Sequence, residues 1–89
     1  MRIVPGFVVR EVAGETIAIP TGDAARELSG LIALNGCGKF LFELLQEDIS
    51  EEDLVNALLE NYEIDSATAK IDVSEFLQSL RNGKVLIEN

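Results

Sequence analysis

Two stretches near the start of the chain have the composition of β-strands. Phe7–Val12 and Glu15–Ile19 are rich in β-branched and aromatic residues, and only Ala13-Gly14 separates them. Glycine supplies the positive φ that a tight reversal needs, and Pro20 ends the second run because proline cannot donate to a strand ladder. This pattern predicts a β-hairpin.

A third apolar run, Gly30–Leu34, is too short for a helix before the polar and glycine residues that follow. We read it as a third strand, in which Ile32 and Leu34 share one face and Leu31 and Ala33 the other. Ala24–Ser29, just before it, has the composition of a helical turn but is too short to be stable by itself.

Apolar residues then recur at helical spacing in three segments, each behind a residue that can cap a helix. The expected caps are Asn35, Ser50 (which opens the acidic capping box Ser50-Glu-Glu-Asp53) and Asp65, with Ile64 as a staple residue. The three apolar stripes are Phe40, Leu41, Leu44 and Leu45; Leu54, Val55, Leu58 and Leu59; and Ala69, Val73, Phe76, Leu77 and Leu80.

The end of the chain follows the third helix closely. Asn82-Gly83 predicts a left-handed cap for that helix, and Lys84–Ile87 either adds a short strand or lies against the body. The order β-β-β-α-α-α predicts an α+β fold with a three-stranded antiparallel sheet followed by three helices, which also suits a winged helix-turn-helix. The length of 89 residues predicts one domain over residues 1–89, given roughly 100–200 residues per domain.

The net charge of −9 is concentrated in one block. Residues 1–42 and 66–89 each balance to zero, whereas residues 43–65 contain only acids: Glu43, Glu47, Asp48, Glu51, Glu52, Asp53, Glu60, Glu63 and Asp65. Such acidity argues against binding to a phosphate backbone. The block is either a solvated face or an acidic docking patch for a basic partner, with Glu51 and Glu52 as the candidate docking residues.

Candidate chemistry is sparse. The chain has no histidine and a single cysteine, so neither a histidine-based triad nor a cysteine-rich zinc site is expected. The acids match no metal-binding spacing, and Gly36-Cys37-Gly38 falls short of a phosphate-binding loop. Cys37 near a helix start has either a lowered thiol pKa or, as we favour, a packing role. No membrane span or signal peptide is predicted, which favours a cytoplasmic protein without catalytic residues, cofactor or metal.

The third predicted helix has two unlike flanks beside its apolar stripe. One carries Lys70, Ser74, Gln78 and Arg81, with Leu77 at its boundary, and the other carries Asp72, Glu75 and Ser79. If the third strand lies at a sheet edge, a peptide can add to it as a further strand. The same open edge can also pair with a second copy of the chain, giving a homodimer.

Several stretches together resemble the PqqD family, named for coenzyme PQQ synthesis protein D. They include Gly30-Leu-Ile-Ala-Leu-Asn35, Gly38-Lys-Phe-Leu-Phe-Glu-Leu-Leu45, and Asp72-Val73 through Phe76-Leu77 and Leu80, in the family's order. The pair Gly36-Cys37 departs from the more polar cap expected there.

The resemblance implies a recognition element for ribosomally made precursor peptides, with a winged helix-turn-helix-like fold. Such a protein binds a leader peptide on its third strand against its third helix and presents it to a modifying enzyme, in PQQ synthesis a radical-SAM protein. Carried over by element, with the helix face taken from a helical wheel, the expected peptide-binding residues are Gly30, Leu31, Ile32, Ala33, Leu34, Lys70, Ser74, Leu77, Gln78 and Arg81. The alternatives are a winged-helix nucleic-acid-binding module or another protein-interaction module and, with the weakest support, an enzyme.

Overall fold

The computed structural model describes residues 1–27, 31–34 and 36–88, apart from the side chains of Asp23, Ala24 and Glu27. The strands are β1 (Arg2–Ile3), β2 (Phe7–Val12), β3 (Glu15–Pro20), β4 (Ile32–Ala33) and β5 (Leu86–Ile87). The helices are α1 (Gly22–Glu27), α2 (Gly38–Leu44), α3 (Glu51–Asn61) and α4 (Ser66–Asn82). The predicted α+β class is confirmed: a three-stranded antiparallel sheet in the order β2-β3-β4 precedes α2, α3 and α4.

The predicted hairpin is confirmed together with its turn. Strands β2 and β3 pair from Phe7 opposite Pro20 to Val12 opposite Glu15. Ala13 and Gly14 between them have φ values of 53° and 82°. Two consecutive residues with positive φ form the kind of reversal whose twist matches that of the strands.

Strand β4 forms where the third strand was predicted, but it is shorter. Ile32 lies opposite Ala18 and Ala33 opposite Ile17, and the Leu34 N–H donates to the Thr16 carbonyl at 2.9 Å. The predicted first residue of this strand, Gly30, lies outside the described residues.

A second, two-stranded sheet joins the two ends of the described chain and was not predicted as such. Arg2 pairs with Ile87 and Ile3 with Leu86. The interpretation of Lys84–Ile87 as a short strand is therefore correct for Leu86–Ile87, but its partner β1 carried no strand signal that we used. Two residues are too few to show the alternation of a strand.

Two of the three predicted helix caps are confirmed. The Ser50 hydroxyl accepts a hydrogen bond from the Asp53 N–H at 3.1 Å, and the Asp65 carboxylate accepts one from the Thr68 N–H at 2.7 Å. The cap predicted at Asn35 is wrong, because α2 begins at Gly38 with Cys37 in the cap position and without a side-chain cap. Asn35 itself lies outside the described residues. Helix α1 occupies part of the segment predicted as a helical turn but starts earlier, at Gly22; Leu28 and Ser29 lie outside the described residues.

The left-handed cap predicted at Gly83 is also wrong. Gly83 keeps a helical φ of −84° and Lys84 takes the positive φ of 59° instead. The later turn lets the Val85 N–H reach the Leu80 carbonyl at 2.9 Å and places the Val85 side chain in the core.

The core collects the predicted apolar stripes between the helices and the inner faces of the two sheets. On α4, Ala69, Val73, Leu77 and Leu80 are buried, and Phe76 packs against them while half-buried. Leu59, predicted in the core stripe of α3, is instead 36 % exposed, since it lies at the margin of the face that contacts α4. Within the described ranges, no helix is long and apolar enough to cross a bilayer.

Candidate functional site

Strand β4 is an edge strand. It pairs with β3 on one side, and no other strand of the described chain pairs with it on the other. In an antiparallel ladder the backbone groups of successive residues point to opposite sides. Because the Leu34 N–H points to β3, the N–H and C=O of Ala33 point away from β3, toward the open edge.

The side chains of this segment alternate as predicted. Leu31 is 59 % exposed and Ala33 is exposed, whereas Ile32 is half-buried and Leu34 is buried. Leu34 belongs to the core, with Ile32 packed against it. The outward face therefore offers Leu31 and Ala33 to a partner, and Ile32 and Leu34 contribute backbone position rather than side-chain contacts.

A cavity of about 410 Å³ opens beside Ala33. It is bounded by β4, by the chain leading into α2 and by one flank of α4, and its lining consists of Ala33, Gly36, Cys37, Gly38, Asp72, Glu75 and Phe76. We call this cavity, with the open edge of β4, the β4–α4 groove. It places an unpaired strand edge next to an open space that could receive side chains from an added strand.

Glycine allows the start of α2 to approach α4 closely. A Cβ atom at Gly38 would lie 3.4 Å from the Phe76 ring, so the backbone of α2 rests almost directly on this side chain. Gly36 has φ of 54°, a conformation that side chains disfavour. The unusual Gly36-Cys37-Gly38 sequence therefore forms one wall of the groove, and the Phe76 ring lines the groove directly beside it.

Of the described residues that line the groove, two are acidic, Asp72 and Glu75, and none is basic. Asp72 and Glu75 are three residues apart on α4 and so are neighbours on one helix face. Burial raises the pKa of the Cys37 thiol, and the nearby Asp72 charge raises that pKa further. The alternative of a lowered thiol pKa is therefore wrong: at neutral pH Cys37 is a protonated, half-buried wall residue.

The flank of α4 that was predicted to face the groove does not line this cavity. Lys70, Ser74, Gln78 and Arg81 are exposed and absent from its lining. Arg81 instead forms an ion pair with Glu88 at 2.8 Å, which raises the pKa of Arg81, with Glu51 contributing. Contact of these four residues with a peptide stays a prediction.

Leu77, predicted at the boundary of the peptide-binding flank, requires a correction. Its side chain is fully buried in the described protein, because it packs into the core shared by α3 and α4. Leu77 packs α4 against the core and has no exposed surface that a ligand could contact.

Asp72, Glu75 and Phe76 were missed as site residues although the sequence contained their signal. They lie at i, i+3 and i+4 on α4 and so form one continuous patch, of which the helical wheel had placed Asp72 and Glu75 on a flank and Phe76 in the apolar stripe. The wheel could not say which flank faces β4. No group of metal-ligating side chains occurs among the described residues, and Glu51 and Glu52 lie exposed in the first turn of α3, outside the groove.

An open strand edge beside a helix, with a cavity between them, is the geometry that strand addition by an extended peptide requires. The family model for coenzyme PQQ synthesis protein D (PqqD) matches residues 15–86. The chain therefore belongs to the PqqD family, which confirms the resemblance seen in the sequence.

The fold is similar to that of a solved structure described as TbiB1 in complex with the TbiA(beta) leader peptide. The two share 24 % sequence identity and a TM-score of 0.73, over 100 % of this chain and 98 % of that one. No curated protein matches the chain.

Proposed function

We propose that this protein is a non-catalytic adaptor that binds the leader segment of a ribosomally synthesised precursor peptide and presents it to a modifying enzyme. The observation that carries the proposal is the open edge of β4, where the backbone of Ala33 points into the space beside α4. Membership of the PqqD family supports it, as does the similar fold of a protein solved with a leader peptide.

The mechanism of binding follows from the ladder geometry. A leader segment in extended conformation forms backbone hydrogen bonds with the N–H and C=O of Ala33. It can do the same with other residues of this segment whose backbone groups point to the open edge. Each such hydrogen bond contributes about 0.5–1.5 kcal/mol net, from which the cost of ordering the peptide is subtracted. Alternate side chains of the added strand enter the groove and supply selectivity.

The test is titration of ¹⁵N-labelled protein with the precursor peptide encoded beside its gene. We expect amide shifts to concentrate in residues 31–34, 36–38 and 72–76. Shifts confined to β2, which forms the other edge of the sheet, would refute binding at β4. Sedimentation of the free protein in the same buffer distinguishes peptide addition from pairing of two copies through β4.

A modifying enzyme, of the radical-SAM class if the pathway resembles PQQ synthesis, would then dock elsewhere on the protein. The exposed acids at the start of α3 lie outside the groove, so an enzyme could contact them while the leader is bound. The double variant Glu51→Lys, Glu52→Lys should keep leader affinity and lose co-purification with the enzyme encoded nearby. Unchanged co-purification would remove the docking role from these two residues.

A further inference from the structure

The β4–α4 groove contains charged side chains that can select among the side chains of a leader peptide. Of the two carboxylates in the lining, Asp72 is half-buried and Glu75 is exposed. Within the described part of the chain, neither has a hydrogen-bond or ion-pair partner. Lys39, the one base in α2, is not part of the lining. The groove thus carries two negative charges that the protein itself leaves unpaired.

The apolar part of the lining lies directly beside these charges. Phe76 follows Glu75 and is half-buried, and its ring atoms Cε1 and Cδ1 are the ones nearest to Gly38 at the start of α2. Lys and Arg side chains commonly lay their alkyl stems on apolar surface while the charged head reaches polar groups. An aromatic ring also attracts a cation placed over its face. The neighbouring ring and carboxylates therefore match both parts of a long basic side chain.

The position of the peptide strand brings such a side chain within reach. Neighbouring strands lie about 4.8 Å apart, so a strand added to the open edge of β4 would lie beside Ala33 and next to the cavity that Ala33 shares with α4. Every second side chain of that strand points to the same face. One of these positions lies over the cavity that Asp72, Glu75 and Phe76 line.

We infer that the leader recognised by this protein carries a Lys or Arg that enters the β4–α4 groove, packs its stem on Phe76 and pairs its cation with Asp72 and Glu75. This inference rests on the proposed leader-binding function. Lys70 and Arg81 on the other flank of α4 would favour an acidic leader, but that flank does not line the cavity. Selectivity then comes from the charge of one leader side chain, while the backbone ladder supplies sequence-independent affinity.

The experiment measures the Kd of a synthetic leader, taken from the precursor encoded beside the gene, by fluorescence anisotropy at low and at physiological salt. The variant Asp72→Asn, Glu75→Gln should bind about tenfold more weakly, as two partly screened ion pairs imply, and its Kd should depend less on salt. The matched control Glu52→Gln, Glu60→Gln removes the same charge from α3 and should bind like the wild type. A leader with its single groove-facing Lys or Arg replaced by Ala should lose the same factor, and the two losses should not add.

Each outcome decides between the two proposals. A leader that binds tightly but contains no Lys or Arg, or that binds both double variants equally, overturns the basic-residue inference and leaves the adaptor function standing. Absence of any leader binding to the folded wild type overturns both. Restored affinity in the pair formed by Asp72→Lys and a leader with Glu at the groove position would establish the contact directly.

Discussion

The two flanks of α4 lie on one helix and differ in charge, in neighbours and in what their charges do. The flank with Asp72 and Glu75 faces β4 and lines an open cavity, where its carboxylates are unpaired within the described chain. The flank that ends at Arg81 lies toward Glu51 and the last residues, where Arg81 pairs with Glu88. The Arg81 charge, already paired within the protein, is poorly available to a partner, whereas the unpaired carboxylates beside the open strand edge are available to one.

Truncation of Leu77, which lies between the two flanks of α4, should have the largest effect, and this effect is on stability. Leu77 is fully buried, so Leu77→Ala should lower the free energy of unfolding by about 2–5 kcal/mol through lost burial and an unfilled cavity. Urea denaturation followed by circular dichroism measures this change. Gln78→Ala, one residue along on the exposed surface, should change stability little; similar losses for both variants would contradict the burial of Leu77.

A proline at the open edge of β4 should have the next largest effect, and this effect is on leader affinity. Ala33→Pro removes an N–H that points away from β3, so the protein should fold while leader affinity falls about tenfold or more, equivalent to at least about 1.4 kcal/mol. Anisotropy titration gives the affinity and a thermal melt reports the fold. Ala33→Ser keeps the N–H at nearly the same size and should bind normally. Equal weakening by serine would point to side-chain crowding rather than to a lost ladder bond.

Charge reversal on the other flank should have a smaller effect on binding. Lys70→Glu changes a side chain that does not line the cavity, so Kd should stay within about twofold. Titrations at two salt concentrations check this. A marked loss of affinity together with a loss of salt dependence would instead make the flank with Lys70 and Arg81 the peptide-facing one, as expected from the sequence.

The smallest effect concerns the ion pair at the far end of α4. The hydrogen bond from Arg81 lowers the pKa of Glu88 in the folded protein. The pairing therefore stabilises the fold at pH values above the pKa of an unfolded glutamate, about 4.3. The contribution is lost as the pH falls through the lower folded value. Arg81→Gln should therefore lower Tm slightly at neutral pH, and the difference from the wild type should vanish in acid. Lys70→Gln, which removes the same charge from the same helix, should show no such convergence.

Local patterns determined most of the fold in advance. The Ala13-Gly14 reversal and the caps at Ser50 and Asp65 depend on residues within a few positions of one another, so a sequence reveals them directly. The stripe of α4 follows in the same way from the helical period. Errors arose where several local solutions compete, as at Cys37 and at Lys84, where neighbouring contacts moved a helix end by one or two residues.

Only those features of the groove that belong to a single strand or helix could be predicted from the sequence. The alternation of Leu31–Leu34 and the existence of two α4 flanks are properties of single elements. The choice between those flanks depends on how α2, α3 and β4 surround the helix, and no spacing within α4 contains that information. The pairing of β1 with β5 is a similar case, since two-residue strands from opposite ends of the chain carry almost no pattern.

The sequence by itself therefore determined the hairpin, the third strand and the three longer helices, together with the family and the location of the net negative charge in residues 43–65. Only the tertiary structure decided that Asp72 and Glu75, outside that block, give the β4–α4 groove its sign. The reason is physical: helical and strand periodicity fix which residues share a face, but packing between distant segments fixes what that face meets. A helix with one acidic and one basic flank can serve either kind of ligand until packing decides which flank borders the open strand edge.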